Sequence, residues 1–297
     1  VPGPDAEGPR VARLRRELVA ELGGNLDPQR QSLGALIHHY LVRARRLIPT
    51  AKRRVFFVRR FWDGNLVTRH LDTVFAMARL IEEGADLTPY LSSRAHRPGK
   101  HPRDAQHDGD FGLAAYDVHH LHFDPVDPVG PRKTRQKDRE DAMLFATFGR
   151  EDAAFIMVGT HKSFHDGTLE NAVVQARADA GHMVLKGIKG ESGFTALQRT
   201  KMGLRGLNAA VAIGGEAVIS SMVMGNGSSM RTLRMADFAA WRIQDVDPIL
   251  DDIERARALL GPRVPDDPDF AWAFDRTRLV LVETKSRMGF NFADQPD

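Results

Sequence analysis

Residues 142–164 read AMLFATF-GRED-AAFIMVGTHKSF, and this stretch decides the fold class. Two apolar runs rich in Phe, Ile, Val and Met flank Gly149-Arg150-Glu151-Asp152. That polar interval is short enough to close a β-hairpin. The spacing predicts strands over Ala142–Phe148 and Ala153–Phe164. Upstream, Tyr116–Phe123 predicts another strand. Downstream, Thr168 can cap a helix that runs to about Ala180. An antiparallel sheet with a flanking helix is an α+β arrangement.

Working outward, residues 1–91 read as a basic, mostly helical region. Helices are expected over Gly8–Glu21, from Asp27 (N-cap) and Pro28 (first turn) to Pro49, and over Val67–Glu83, ended by Gly84. Val55–Val58 reads as a short strand between the last two. Residues 110–185 form the expected sheet core. Residues 206–297 form an acidic α+β region: two strands within Val211–Met224 broken at Gly214-Gly215, a helix to about Ile243, another from Asp247-Pro248 to Gly261-Pro262, and a strand at Arg278–Glu283. The Pro/His/Arg-rich interval 92–109 and the polar excursion 124–140 read as long loops, and loops of that length are disproportionately functional.

The chain has 297 residues and no cysteine, which excludes disulfides, thiolate zinc sites, iron–sulfur clusters and a Cys nucleophile. No run approaches the ~20 apolar residues of a membrane span. A cytoplasmic protein with no membrane partner is the expectation.

The formal net charge of +3 hides two opposed blocks. Between Pro28 and Trp62 there are nine basic residues and no acid, among them Arg43, Arg46, Arg53, Arg54, Arg59 and Arg60. The excursion adds Arg132, Lys133 and Arg135. From Met235 to Asp297, 13 acids face 8 bases. The basic part suits a polyanion, nucleic acid first, and the acidic part a protein partner. Phe56, Phe57, Phe61 and Trp62 interleave with arginines, a mixture suited to stacking on unpaired bases or to a buried strand edged by cations.

Histidines supply the candidate chemistry. In Asp117-Val118-His119-His120-Leu121-His122-Phe123, strand alternation puts His120 and His122 on one face and His119 on the other, with Leu121 and Phe123 toward the core. His161-Lys162 closes the last strand of the hairpin. In a simple meander the first and third strands run parallel, so their C-terminal ends share an edge roughly 10 Å apart. His120, His122 and His161 would then border one pocket-sized region.

Three readings compete for that cluster. Histidine titrates near neutrality and can act as base or acid on a phosphodiester, with Lys162 stabilising the developing charge and no cofactor needed. Alternatively His120, His122 and His161 would ligate a divalent transition metal such as zinc, and an activated water would hydrolyse the substrate. The third reading is packing, favoured for His119 and for His38-His39. Gly225-Asn226-Gly227-Ser228-Ser229, between a strand and a helix, lacks a P-loop lysine and reads as a glycine turn.

Residues 110–185, with a small antiparallel sheet, one helix, and histidines and cations on the open face, resemble the compact ribonucleases of the RelE/barnase/colicin type. The resemblance covers about a quarter of the chain. It implies RNA cleavage by general roles of His and Lys without assigning individual residues. The expectation is thus a nucleic-acid-processing protein, an RNA-cleaving enzyme first. A metal-dependent hydrolase and a non-catalytic nucleic-acid-binding scaffold are the alternatives.

Overall fold

The structure, a computed structural model, describes residues 7–23, 30–92, 95, 110–125, 141–188 and 193–292. It is an α+β protein, as the hairpin pattern implied. The chain divides into two compact units, residues 46–230 and a second built from residues 1–45 with 231–297. This grouping cuts across the consecutive regions 1–91 and 206–297. The N-terminal helices cluster with the C-terminal segment because their apolar stripes belong to one core.

The central unit is organised around a four-stranded sheet in the order β1-β4-β3-β2, with β1 Arg54–Phe57, β2 His119–His122, β3 Ala142–Phe148 and β4 Asp152–Thr160. β2, β3 and β4 form the expected antiparallel meander. The short strand placed in the helical N-terminal region instead joins this sheet, parallel to β4, so the sheet is mixed. Its alternation explains the placement: Val55 and Phe57 pack inward against one core, while Arg54 and Phe56 are exposed.

Each face of the sheet has its own core. On one side Val74, Met77 and Ile81 pack on Leu121, Leu144 and Phe155. These three lie on the helix Leu71–Glu83, which is preceded by a short helix Asn65–Arg69; the expected single helix breaks at His70. Gly84 ends it at φ 74°, with the left-handed geometry that glycine adopts without cost. On the other side Tyr116, Leu169 and Val173 pack on Met143, Phe145 and Ile156. These come from the helices Phe111–Tyr116 and Thr168–Asp179. In chain order the helices are α1 Pro9–Glu21, α2 Leu33–Ala44, α3 Asn65–Arg69, α4 Leu71–Glu83, α5 Phe111–Tyr116, α6 Thr168–Asp179, α7 Ala196–Gly203, α8 Met230–Val246 and α9 Ile253–Leu260.

Several boundaries differ from the sequence expectation, for local reasons. Asp110 caps α5 by accepting from the Leu113 amide, so Tyr116 ends a helix; Asp117 at φ 60° turns the chain before β2. β4 stops at Thr160 because a capping box formed by Thr160 and Ser163 turns His161–Phe164 into a 3-10 helix. α6 follows Gly167 at φ 90°, and Asp166, rather than Thr168, accepts from the first helical amide. α2 starts at Leu33 with Ser32 as its cap; the expected start at Asp27 and Pro28 lies outside the described residues.

A three-stranded sheet, β5-β7-β6 (β5 Val184–Leu185, β6 Ala210–Ile213, β7 Glu216–Ile219), completes the central unit. Gly214 and Gly215, both at positive φ, make the β6–β7 turn, as expected for a two-residue hairpin. In the other unit α1, α2, α8 and α9 share a core with the antiparallel sheet β10-β9-β8 (β8 Phe270–Asp275, β9 Arg278–Glu283, β10 Met288–Asn291), around buried Trp272. Trp272 donates to Asp247, which also pairs with Arg10.

Candidate active site

The meander does what its connectivity requires: β2 and β4 run parallel on either side of β3, and their C-terminal ends meet one region. His120 and His122 are opposite Phe145 and Met143, on the face that carries α5 and α6. His161 is the first residue beyond β4. Their rings converge: centroids are 5.7 Å apart for His120–His122, 5.6 Å for His122–His161 and 6.4 Å for His120–His161. Phe164 and Phe145 back the cluster, with Phe164 edge-on to His120 at 5.1 Å. The sequence-derived trio is therefore one constellation.

Two carboxylates accompany it, and both escaped the sequence reading. Asp141 Oδ2 contacts His161 Nδ1. Asp110 Oδ2 is 3.7 Å from His120 Nδ1. The two pairs differ in exposure. The His120 and Asp110 side chains retain 10% and 16% of their accessible surface, whereas His161 and Asp141 retain 41% and 35%. The cluster thus has a sheltered imidazole at one end and a solvent-facing one at the other. At His161 the carboxylate sits on Nδ1 and leaves Nε2 as the nitrogen open to a substrate, whereas Asp110 at 3.7 Å is beyond hydrogen-bond distance of His120.

Lys162 is exposed on the same 3-10 turn. Successive side chains on such a turn diverge by about 120°, so the fold does not add it to the ring trio. His119 points to the opposite face, with its ring 5.5 Å from Phe148. It also reaches a shallow surface cleft, lined by Arg46, Leu91, Ser92, Asp110 and His120 among others. His38 and His39, on α2 in the other unit, are held below the usual histidine range by burial.

The arginines separate into distinct groups. Arg53 is a correction: it is 6% exposed and donates to the carbonyls of Gly149, Pro49 and Ala51, so it ties the N-terminal end of β1 to the hairpin turn and offers nothing to a ligand. A cation packed against three carbonyls is indistinguishable in sequence from its exposed neighbours. Arg54, Arg59 and Arg60 are exposed. Arg46 is half-buried in the cleft wall, and Arg43 is half-buried on α2. Arg132, Lys133 and Arg135 lie outside the described residues. So do most of the intervals 92–109 and 124–140.

Among the described residues, no group of three or more His, Asp or Glu side chains is disposed to hold a metal ion. No described helix is long and apolar enough to cross a membrane. The chain matches no known protein-family model, no curated protein and no solved structure.

Proposed function

We propose that the protein is an endoribonuclease that cleaves RNA by imidazole acid–base chemistry at His120, His122 and His161. The observation that carries this reading is the convergence of three rings within 6.4 Å of one another, one of them paired with Asp141. Cleavage of RNA through its 2′-hydroxyl needs one group to take that proton and another to protonate the leaving 5′-oxygen. Imidazole side chains can perform both tasks.

His161, solvent-facing and oriented by Asp141, is placed as the base that takes the 2′-hydroxyl proton. His122, the middle ring, stands within reach of the same phosphate and serves as the acid. His120 is more sheltered than His161, and it positions His122 across the 5.7 Å gap between their rings. Exposed Lys162 and the cations of the central unit contribute long-range attraction for the polyanion.

The test is cleavage of a mixed-sequence RNA in a metal chelator by wild type and by His122→Ala and His161→Ala. General acid–base groups contribute about 10²- to 10⁴-fold each, so both variants should fall at least a hundredfold while keeping their circular dichroism. Cleavage unchanged in both variants contradicts the assignment. Activity that vanishes in chelator and returns with zinc or manganese selects a metal-dependent hydrolase at the same histidines. Salt-sensitive RNA binding with no cleavage under any condition selects a non-catalytic binding protein.

A further inference from the structure

At the edge of the central sheet opposite the histidines, β1 and the segment after it carry aromatic side chains that the core does not absorb. Phe56, Trp62 and Phe75 are 48%, 46% and 44% exposed. Trp62 and Phe75 lie with ring centroids 6.3 Å apart and planes at 37°, and both rest on Phe57, at 4.8 Å and 6.2 Å. Phe57 in turn packs on buried Phe61 and Phe155, so the outer rings stand on a rigid base. On the other face of β1, the Arg54 guanidinium sits 5.6 Å from the Phe56 ring centroid. Leaving that much aromatic surface in water costs about 25 cal/mol per Å², and a patch of this kind marks a binding surface.

The charge around the rings says what would cover them. Between residues 52 and 69, Asp63 is the sole acid, and every cation except Arg53 is exposed. Among the described residues no carboxylate lies within ion-pair distance of Arg54, Arg59 or Arg60. On α4, Arg79 stands one turn beyond Phe75, against Asp72 one turn before it and exposed Glu82 two turns beyond, so the positive charge of the patch comes from the 52–69 segment. Backed aromatic faces beside a segment of net positive charge suit a ligand that offers both a π-face and a negative backbone at each repeat. Single-stranded nucleic acid does so; a duplex hides its base faces in its own stack.

We infer that Trp62 and Phe75, with Arg59 and Arg60, form a stacking platform for unpaired RNA, which makes single strands the substrate class of the proposed nuclease. The platform rests on that reading for its substrate but not for its test. The platform stands on the sheet face that carries α4 and the histidines on the face that carries α5 and α6, so a strand held on the platform has to pass round the sheet before it reaches them.

The test is tryptophan fluorescence of a Trp241→Phe protein, in which Trp62 is the exposed fluorophore and Trp272 is buried. The probe is a twelve-nucleotide 2′-O-methyl RNA, which cannot be cleaved through its sugar. Quenching by the single strand is expected, with affinity at least tenfold above that for the same sequence in duplex. Phe75→Ala should weaken single-strand binding about tenfold. Arg59→Glu with Arg60→Glu, a surface change that leaves the rings intact, should reduce the slope of log affinity against log salt by about two. Unmoved fluorescence, equal affinity for duplex, or an unchanged salt slope overturns the platform. Self-association without quenching assigns the patch to a second copy of the chain and also overturns it. Because binding is read without turnover, failure of the histidine chemistry leaves a positive result standing.

Discussion

The ion pair between Arg199 and Glu170 allows a sharp test of how the histidine-bearing face is held. Arg199, on α7, donates from Nε and Nη2 to the two carboxylate oxygens of Glu170, on α6, at 2.6 and 2.9 Å, and the side chains retain 6% and 0% of their surface. A further donor reaches the Phe194 carbonyl. Arg199→Met removes the cation and leaves a buried carboxylate unpaired, a change that costs about 3–5 kcal/mol. For a unit of this size, roughly 2–4 °C of Tm per kcal/mol makes that a drop of about 10 °C.

The pH dependence gives the test its sign. Burial already pushes the Glu170 carboxyl above the usual carboxylate range, against the pull of Arg199, and losing Arg199 pushes it further. A carboxyl whose folded-state pKa is raised contributes stability below its unfolded pKa and loses it as pH rises through the folded value. The deficit of Arg199→Met relative to wild type should therefore be small near pH 4.5 and widen toward pH 8. Glu170→Gln combined with Arg199→Met should remove the widening. Urea denaturation of the three proteins at both pH values measures it. A deficit independent of pH, or one below about 1 kcal/mol at pH 8, would show that the pair does not carry this energy.

Other substitutions address the fold and its edges. Arg53→Met strips donors from the carbonyls of Gly149, Pro49 and Ala51; chemical denaturation should show a loss of about 2–4 kcal/mol, with the RNA affinity of the folded protein unchanged. Gly167→Ala should cost more than about 1 kcal/mol, because φ is 90° and a Cβ there would meet the Leu197 amide nitrogen at 2.6 Å; thermal melts read it. The buried Glu283 carboxylate is held down at about 2 by hydrogen bonds from the Ser286 hydroxyl and from the Asp269, Ser286 and Lys285 amides. Its stabilisation is present above the unfolded carboxyl pKa near 4.5 and fades as pH falls toward 2. Melts of wild type and Glu283→Gln should accordingly differ at pH 7 and converge in acid.

The meander and the meeting of His120, His122 and His161 were legible because strand periodicity and connectivity alone place them. Asp141 was not, for a reason the register makes plain. From the hairpin turn, Phe148 pairs with Ala153, and continuing in step would set Asp141 opposite Thr160. A bulge beyond Ala146 leaves Ile156 without a partner and shifts the register by one, so Ala142 pairs with Thr160 and Asp141 falls beside His161. Nothing in the composition of β4 announces that extra residue. Asp110 was hidden for a different reason: it borders the Pro/His/Arg-rich interval, where sequence offers no periodicity, and its dual place as the α5 cap and as neighbour of His120 is tertiary. Likewise Val55–Val58 was visible as a strand, but the parallel pairing of β1 with β4 spans nearly a hundred residues of chain and has no local signal.

The central claim is that imidazoles alone perform the cleavage, and the end group of the RNA product tests it most directly. Wild-type protein is incubated with RNA in excess chelator, and the products are examined by mass spectrometry beside a substrate carrying one 2′-deoxynucleotide at the cleaved position. Attack by the 2′-hydroxyl should leave a 2′,3′-cyclic phosphate and a 5′-hydroxyl, and the deoxy substrate should remain intact at that position. A 3′-hydroxyl with a 5′-phosphate, or equal cleavage of the deoxy position, would mean that water is the nucleophile and would contradict the account.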